Sequence, residues 1–346
     1  MKKFKTITHL IFLTLLTGLV VISCKKNEEE PIQEPSRMIC GSRAGHYVIV
    51  NPTEGTDVAE VAPNVKFVGE VSLAYMSKRA ILVSPLVGGG SPAIFTCDAL
   101  TGNNLNQITS ENEYYVQHID GSPVAEKIVF SAKDMVNWNL HIHSINEDGT
   151  GHGQMSFQDE GVSCPDKNTN VAAKIVGAYM PSWSPDGTKI AFAAYLRELE
   201  TNYAHNSIIV MSSDGNGKTV VYDVPNKEEI HYDDICWTRD GEFLVFSMAE
   251  GSRRAVRALH YSSGTVTNLH NFMNVNNVDV QDHWTSPTQD VIVYMLVSPG
   301  GSDLYTIGYE VEGENLKISA GQSRLTDEMA VGHGYTEPDW QHWDLQ

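Results

Sequence analysis

The chain has 346 residues, with 24 Lys+Arg against 43 Asp+Glu for a net charge of −19, and it is 41% hydrophobic but only 19% charged. That composition describes an acidic globular protein, neither a disordered chain nor a coiled coil. Such a charge repels phosphate backbones and anionic lipid headgroups. No Lys/Arg run beyond the N-terminus offsets it, so neither nucleic acid nor direct lipid binding is expected.

The first segment reads as an address. Lys2, Lys3 and Lys5 precede an apolar run from Ile11 to Ile22 and then Val21-Ile22-Ser23-Cys24. The run is too short for a comfortable membrane-spanning helix, which needs roughly 20 residues, and suits a signal peptide. The small residue before a cysteine resembles a bacterial lipobox, which implies cleavage before Cys24, diacylation of its thiol and an outer-membrane lipoprotein of the cell envelope, possible at the surface. An ordinary secretion signal with an incidental cysteine is the alternative. The polar run Lys25-Lys26-Asn27-Glu28-Glu29-Glu30 resembles the surface-export signal of some Gram-negative lipoproteins, or is a plain solvated tether. Residues 1–23 are thus expected to be the signal peptide and 24–37 a lipidated cysteine with a flexible linker. Loss of the three signal-peptide lysines takes the charge from −19 to −22.

The rest of the chain carries an internal repeat, which decides the fold. Pro181-Ser182-Trp183-Ser184-Pro185-Asp186-Gly187-Thr188-Lys189-Ile190-Ala191-Phe192 is a strand, a tight turn and a second strand. Its Pro-Asp-Gly supplies a fixed φ and then a positive one. Cys236-Trp237 followed by Asp240-Gly241 and Phe243 to Phe246 keeps the spacing from Trp to Phe. Decayed copies are His283-Trp284 to Pro287 with Val291 to Tyr294, His118 to Pro123 with Ile128 to Phe130, and Leu73 to Lys78 with Ala80 to Val83. Each copy is followed by an alternating strand, a polar Gly-containing turn and another strand, so every unit is read as four antiparallel strands. A repeat of about 45 to 55 residues suits one propeller blade.

The motif resembles the TolB-like propeller repeat, Pro-x-Trp-Ser-Pro-Asp-Gly followed by Ile-Ala-Phe, fully at Trp183 and in degenerate form elsewhere. The resemblance implies an all-β fold over residues 38–346: a six-bladed β-propeller of four-stranded antiparallel blades. Innermost strands fall near Val68–Leu73, Tyr115–Asp120, Tyr179–Trp183, Tyr232–Trp237, Asp279–Trp284 and Tyr335–Trp340. The last has no partner strands after it. Met38–Cys40, His46–Val50 and Val58–Val61 can supply them, so N- and C-terminal strands are expected to share one blade and close the ring. Residues 25–37 leave no room for the extra domain that precedes the propeller of TolB, so TolB's partner interactions are not carried over.

Length tells the two ends of such a ring apart, because long loops in a compact domain are usually functional. Segments 131–139, 159–174 and 196–206 map to one face. The Asp-Gly turns map to the other, where no comparable site is expected. The innermost strands begin on the long-loop face with Tyr114, Tyr115, Tyr179, His231, Tyr232, Asp233, Gln281, His333 and Tyr335. This aromatic and acidic mouth suits stacking on sugar rings or capture of a peptide, and these nine are the candidate ligand-binding residues. The alternative for each tyrosine is packing between blades.

Propellers of similar repeat include metal-dependent oligogalacturonate lyases, a resemblance that makes His118, His283 and His333 weak metal candidates, with calcium or a transition metal in the channel as a possible cofactor. His141 and His143 share a strand face but match no closed ligand spacing. No Gly-x-Ser-x-Gly, Walker or His-Glu-x-x-His motif is present, so no catalytic residue is assigned. The carboxylates near the mouth leave a glycosidase-type pair open. Cys97 and Cys236 read as buried thiols, and Cys40 and Cys164 leave room for at most one disulfide. The leading expectation is a lipid-anchored binding module for a glycan, a peptide or an envelope protein. The alternatives are a polysaccharide-degrading enzyme and a structural assembly subunit.

Overall fold

The alternating apolar segments become strands, and the described residues contain no helix. The computed structural model describes residues 37–41, 47–50, 57–61, 71–74, 79–84, 91–99, 101–110, 113–135, 138–162, 173–199, 202–223, 235–250, 253–269, 279–287, 289–298, 301–319, 321–326 and 336–341.

β1 (Arg37–Gly41), β2 (Tyr47–Val50) and β3 (Asp57–Val61) open the fold. β4 (Val71–Ala74), β5 (Arg79–Ser84), β6 (Ala93–Asp98) and β7 (Asn106–Gln107) form one antiparallel sheet in chain order. β8 (Tyr114–Gly121), β9 (Lys127–Asp134), β10 (Leu140–Asn146) and β11 (Gly153–Gln154) form the next. β12 (Gly161–Val162), β13 (Ala173–Trp183), β14 (Lys189–Glu198), β15 (Ala204–Ser212) and β16 (Thr219–Asp223) make a five-stranded sheet. β17 (Ile235–Trp237), β18 (Phe243–Glu250), β19 (Arg253–His260) and β20 (Val266–Asn268) follow. β21 (Asp279–Thr285), β22 (Val291–Ser298), β23 (Gly301–Glu312), β24 (Asn315–Ile318) and β25 (Ser323–Arg324) come next, and β26 (Thr336–Gln341) pairs with β1 to give the order β26-β1-β2-β3.

The sheets are therefore four- to five-stranded rather than uniformly four-stranded. β13 runs on at its N-terminal end, and its first residues pair with β12 on one side and β14 on the other. β23 is also long. It pairs with β24 near the far turn and with β25 at Tyr305 and Thr306. An overlong strand leaves backbone groups that need partners, and the extra strand supplies them. The segment 196–206, expected as a loop, is mostly strand, because β14 and β15 pair as far as Arg197 with Ala204.

The first strands carry bulges that the repeat does not announce. The register shifts at Val116/His118 in β8, at Tyr179/Ser182 in β13 and at Gln281/His283 in β21. Met180 and Asp282 take positive φ there (53° and 38°). Pro181 lies inside the β13 shift, where its missing N–H costs no ladder bond.

The core is a series of apolar wedges between successive sheets rather than one central ball. Ile81, Ile94, Phe130 and Ile145 fill the first, and Val129, Ile142, Trp183 and Phe192 the second. Ile208, Trp237 and Phe246 fill the third, Phe243, Tyr294 and Tyr309 the fourth. Val48 and Val50 of β2 then pack on Val293, Met295 and Leu304. Each first strand also touches the next: β4 meets β8, β8 meets β13, β13 meets β17 and β17 meets β21. β26 meets both β21 and β4. This is the architecture of a β-propeller.

Hydrogen bonds stitch these first strands together. The Asp120 carboxylate on β8 accepts the Trp183 N–H of β13 at 2.7 Å and the Ser72 hydroxyl of β4 at 3.4 Å. Trp237 Nε1 donates to Ser182 O at 3.2 Å, and the Thr285 hydroxyl donates to Trp237 O. The repeat turn is held in the same economical way. The Ser184 hydroxyl donates to Asp186 at 2.6 Å, and Asp186 accepts the Thr188 N–H at 3.0 Å. Gly187 closes the turn at φ 65°, and a Cβ there would lie 2.1 Å from Val124 Cγ2 on the neighbouring turn. Gly187→Ala is expected to cost about 1–2 kcal/mol from the left-handed backbone and the crowding together. A urea melt checks this, and an unchanged midpoint would show that the turn relaxes at no cost.

Candidate functional site

β8 starts with two tyrosines whose side chains alternate across the sheet. Tyr114 packs its ring on His143 at 5.0 Å, on His152 at 5.2 Å and edge-on against Phe130 at 6.5 Å. The two imidazoles lie 11° from parallel, with His152 Nε2 at 3.2 Å from His143 Nδ1. Phe130 stacks on His143 at 5.3 Å. This cluster gathers β8, β9, β10 and the turn into β11. Beside it opens a cleft of about 580 Å³, lined by Glu113, Tyr114, Asp134, Met135, Asn139, His141, His143, Gln154, Phe157 and Gln158. It lies on the long-loop face, at the ends of β9 and β10 where residues 135–139 connect them.

Its electrostatics follow from burial. Desolvation pushes His143 down to about 3, with His152 and His141 adding to the effect, and desolvation also lowers His141. Both imidazoles are neutral at pH 7. Burial raises the Tyr114 phenol, and the Glu113 carboxylate beside it raises it further. Among the described residues no lysine or arginine lines the cleft. His141 is 6% exposed, and its Nδ1 has no hydrogen-bond partner among the described residues.

The expected mouth is only partly assembled. Tyr114 lines the cleft. Tyr115, on the opposite side of β8, sits half-buried beneath Lys133, whose Nζ is 5.9 Å from the ring centroid. Tyr179 is a correction: it is 6% exposed, buried between blades with Trp237 and Phe246, and its hydroxyl donates to Asn206 at 2.5 Å. Packing won there because the bulge at Met180 leaves Tyr179 in the wedge. His231, Tyr232, Asp233, His333 and Tyr335 lie outside the described residues, as does Cys24, and Gln281 is placed by its backbone alone.

The metal candidates separate. His283 is fully buried, within 3.2 Å of the Ser247 hydroxyl, and burial lowers it to about 4, so it is a core histidine and not a ligand at an open channel. His118 is half-buried on β8, and among the described residues no group of three His, Cys, Asp or Glu side chains could hold a metal. Cys97 and Cys236 are buried thiols as expected, and burial pushes Cys97 up to about 12.

The buried imidazoles make stability depend on pH in a defined direction. Folded His143 and His283 bind a proton less readily than the unfolded chain does. Their contribution is complete above about pH 6.5 and is lost as pH falls toward about 4 for His283 and about 3 for His143. Melting temperature is expected to drop between pH 7 and pH 5, with a shallower drop for His283→Asn. Equal slopes for the two proteins would contradict this.

What the sequence missed is that the third strand supplies the site: His141 and His143, which match no closed metal-ligand spacing, line the cleft. Their period-two spacing was the available signal. The short-turn face holds a smaller cavity of about 110 Å³, lined by Trp183, Trp237, Trp284, Pro123, Pro185 and Pro287 among others. The repeated Trp and Pro of the motif stand at the ends of the first strands, where large rings leave a gap between them.

No family model and no curated protein matches the chain. Solved structures do. TolB from Acinetobacter baumannii superposes with a TM-score of 0.59 at 16% identity over 88% of this chain, which spans 66% of that protein, just under two thirds. A chain of a nidogen/laminin complex gives 0.58 at 10% identity over 88% of this chain and 98% of that one. Oligogalacturonate lyase from Vibrio parahaemolyticus gives 0.53 at 14% identity, covering 78% and 73%. At these identities the likeness is one of fold, and the fold is a TolB-like β-propeller.

Proposed function

We propose that this protein is a lipid-anchored envelope propeller that binds a glycan, a peptide or a partner protein at its long-loop face without turning it over. The observation that carries this reading is the cleft beside Tyr114, aromatic and hydrogen-bonding at once, in a chain with no catalytic motif. We infer six blades over residues 38–346, closed by a blade shared between the two ends of the chain. Contact of β26 with both β21 and β4 supports that ring. The anchor rests on Val21-Ile22-Ser23-Cys24, with residues 25–37 as its tether. Among the described residues no helix is long and apolar enough to cross a membrane, so the proposed membrane contact is the lipid on Cys24.

A second reading is a glycosidase-type enzyme, favoured by one observation: Glu113 and Asp134 line the same cleft. The test is a thermal-shift screen of the full-length protein against neutral and acidic glycans, with and without chelator, and with chromatography of the products. The expected result is a shift with one glycan class, insensitive to chelator and with no cleavage. Cleavage would replace binding by catalysis, and its loss in chelator would indicate a lyase-type metal. Failure of every soluble ligand with co-purification of an envelope protein would favour an assembly subunit. Cys24→Ser is expected to abolish labelling by palmitate, and retained labelling would sink the anchor.

A further inference from the structure

The chemistry of the cleft narrows its ligand. Trp138 is 60% exposed one residue before Asn139 of the lining, and Phe157 of the lining is 50% exposed. Large aromatic faces left in water cost free energy unless something covers them. Trp138 also takes φ 58°, a conformation unusual for a bulky residue, pinned by its N–H donating to Asp134 O at 2.7 Å. Beside Phe157 the lining offers planar polar groups, the carboxylates of Glu113 and Asp134 and the amides of Asn139, Gln154 and Gln158. Such groups meet adjacent hydroxyls two at a time. In the wall, His141, only 6% exposed, holds an Nδ1 with no hydrogen-bond partner among the described residues. A buried polar atom left unmatched is costly, and a hydroxyl matches either tautomer because it both donates and accepts.

Charge excludes the other classes. Two carboxylates with neutral imidazoles, and no lysine or arginine among the described lining residues, repel uronic acids and phosphorylated ligands. A cationic peptide would satisfy the carboxylates but would use neither the amides nor the exposed aromatic faces as fully.

We propose that the cleft is a binding site for an uncharged oligosaccharide, with Trp138 and Phe157 as stacking surfaces and His141 as a hydrogen-bonding partner in its wall. This rests on the binding-module reading and specifies its ligand. The volume of about 580 Å³ accommodates a few sugar rings rather than a whole polymer.

The experiment is calorimetric titration of the full-length protein in detergent with the hexasaccharides of xylose, glucose (β-1,4 and α-1,4) and mannose, and with hexagalacturonate and hexalysine. The expected result is saturable binding of at least one neutral hexasaccharide and neither charged probe. Trp138→Ala and Phe157→Ala should each weaken it about tenfold at unchanged melting temperature, since both side chains are half exposed or more. His141→Phe keeps the ring and removes its nitrogens, and should weaken binding comparably if the protein folds. The exposed variants decide the matter if it does not. Neutral binding indifferent to Trp138→Ala and Phe157→Ala overturns the site, and absence of neutral binding overturns the ligand class. Hexalysine binding that Trp138→Ala abolishes overturns the saccharide and leaves the binding-module reading standing. Cleavage products in the cell overturn that reading and leave the saccharide site standing.

Discussion

Replacing Asp120 by alanine is expected to destabilise the fold by about 3 kcal/mol, because one buried carboxylate ties three strands together. It accepts the Trp183 N–H at 2.7 Å and the Ser72 hydroxyl at 3.4 Å, and it is itself only 6% exposed. Alanine leaves the Trp183 amide without its acceptor in a site that water does not reach easily. Asp120→Asn keeps an acceptor and loses the charge, so it should cost roughly half as much. Urea denaturation of the three proteins checks the order wild type, Asn, Ala. Coincident midpoints would mean that water takes over the bond and that the stitch between β4, β8 and β13 contributes nothing.

Phe192→Ala should cost more, about 3–5 kcal/mol. The ring is fully buried in the wedge between the sheets of β8–β11 and β12–β16, against Trp183, Val129 and Ile142. Both walls of the wedge are strands held by their own ladders, so neither collapses readily into the hole. The matched control is Leu199→Ala on the surface, where the side chain is 53% exposed and the change should stay within about 0.5 kcal/mol. If Phe192→Ala melts like the control, the wedges are not the source of stability.

The Phe192 position was legible because the repeat marks it: the Trp183-to-Phe192 frame recurs at Trp237 to Phe246, and both phenylalanines are fully buried. The turn chemistry was legible for a similar reason. Pro185-Asp186-Gly187 has few conformations open to it, and the structure uses the one with Gly187 at positive φ. The bulges were not legible, since a residue inserted opposite none leaves no period of its own in the sequence. That omission matters for the site. Tyr179 reads as a mouth residue from its place at the start of a strand, and the bulge beside it leaves it packed in the wedge.

The cleft shows the same division. Tyr114 could be named from its place at the head of β8, whereas His141 and His143 are on the third strand, some distance along the chain. They join Tyr114 in the lining because β10 pairs with β9 and β9 with β8, placing His143 opposite Phe130 and His141 opposite Ala132. Pairing of this kind is a long-range event, and the alternation that makes it possible says only which side a residue takes, not what it will meet.

By itself the sequence determined the strand pattern, the turns, the acidic charge, and the repeat from which a propeller follows, because these depend on local conformational preference and composition. Only the tertiary structure decided which tyrosine stands at a cleft and which is core, that His283 is sealed in the core while the buried His141 lines a cleft, and that the short-turn face carries a cavity of its own. Burial and contact are set by the neighbouring sheet, and the neighbouring sheet lies tens of residues away in the chain.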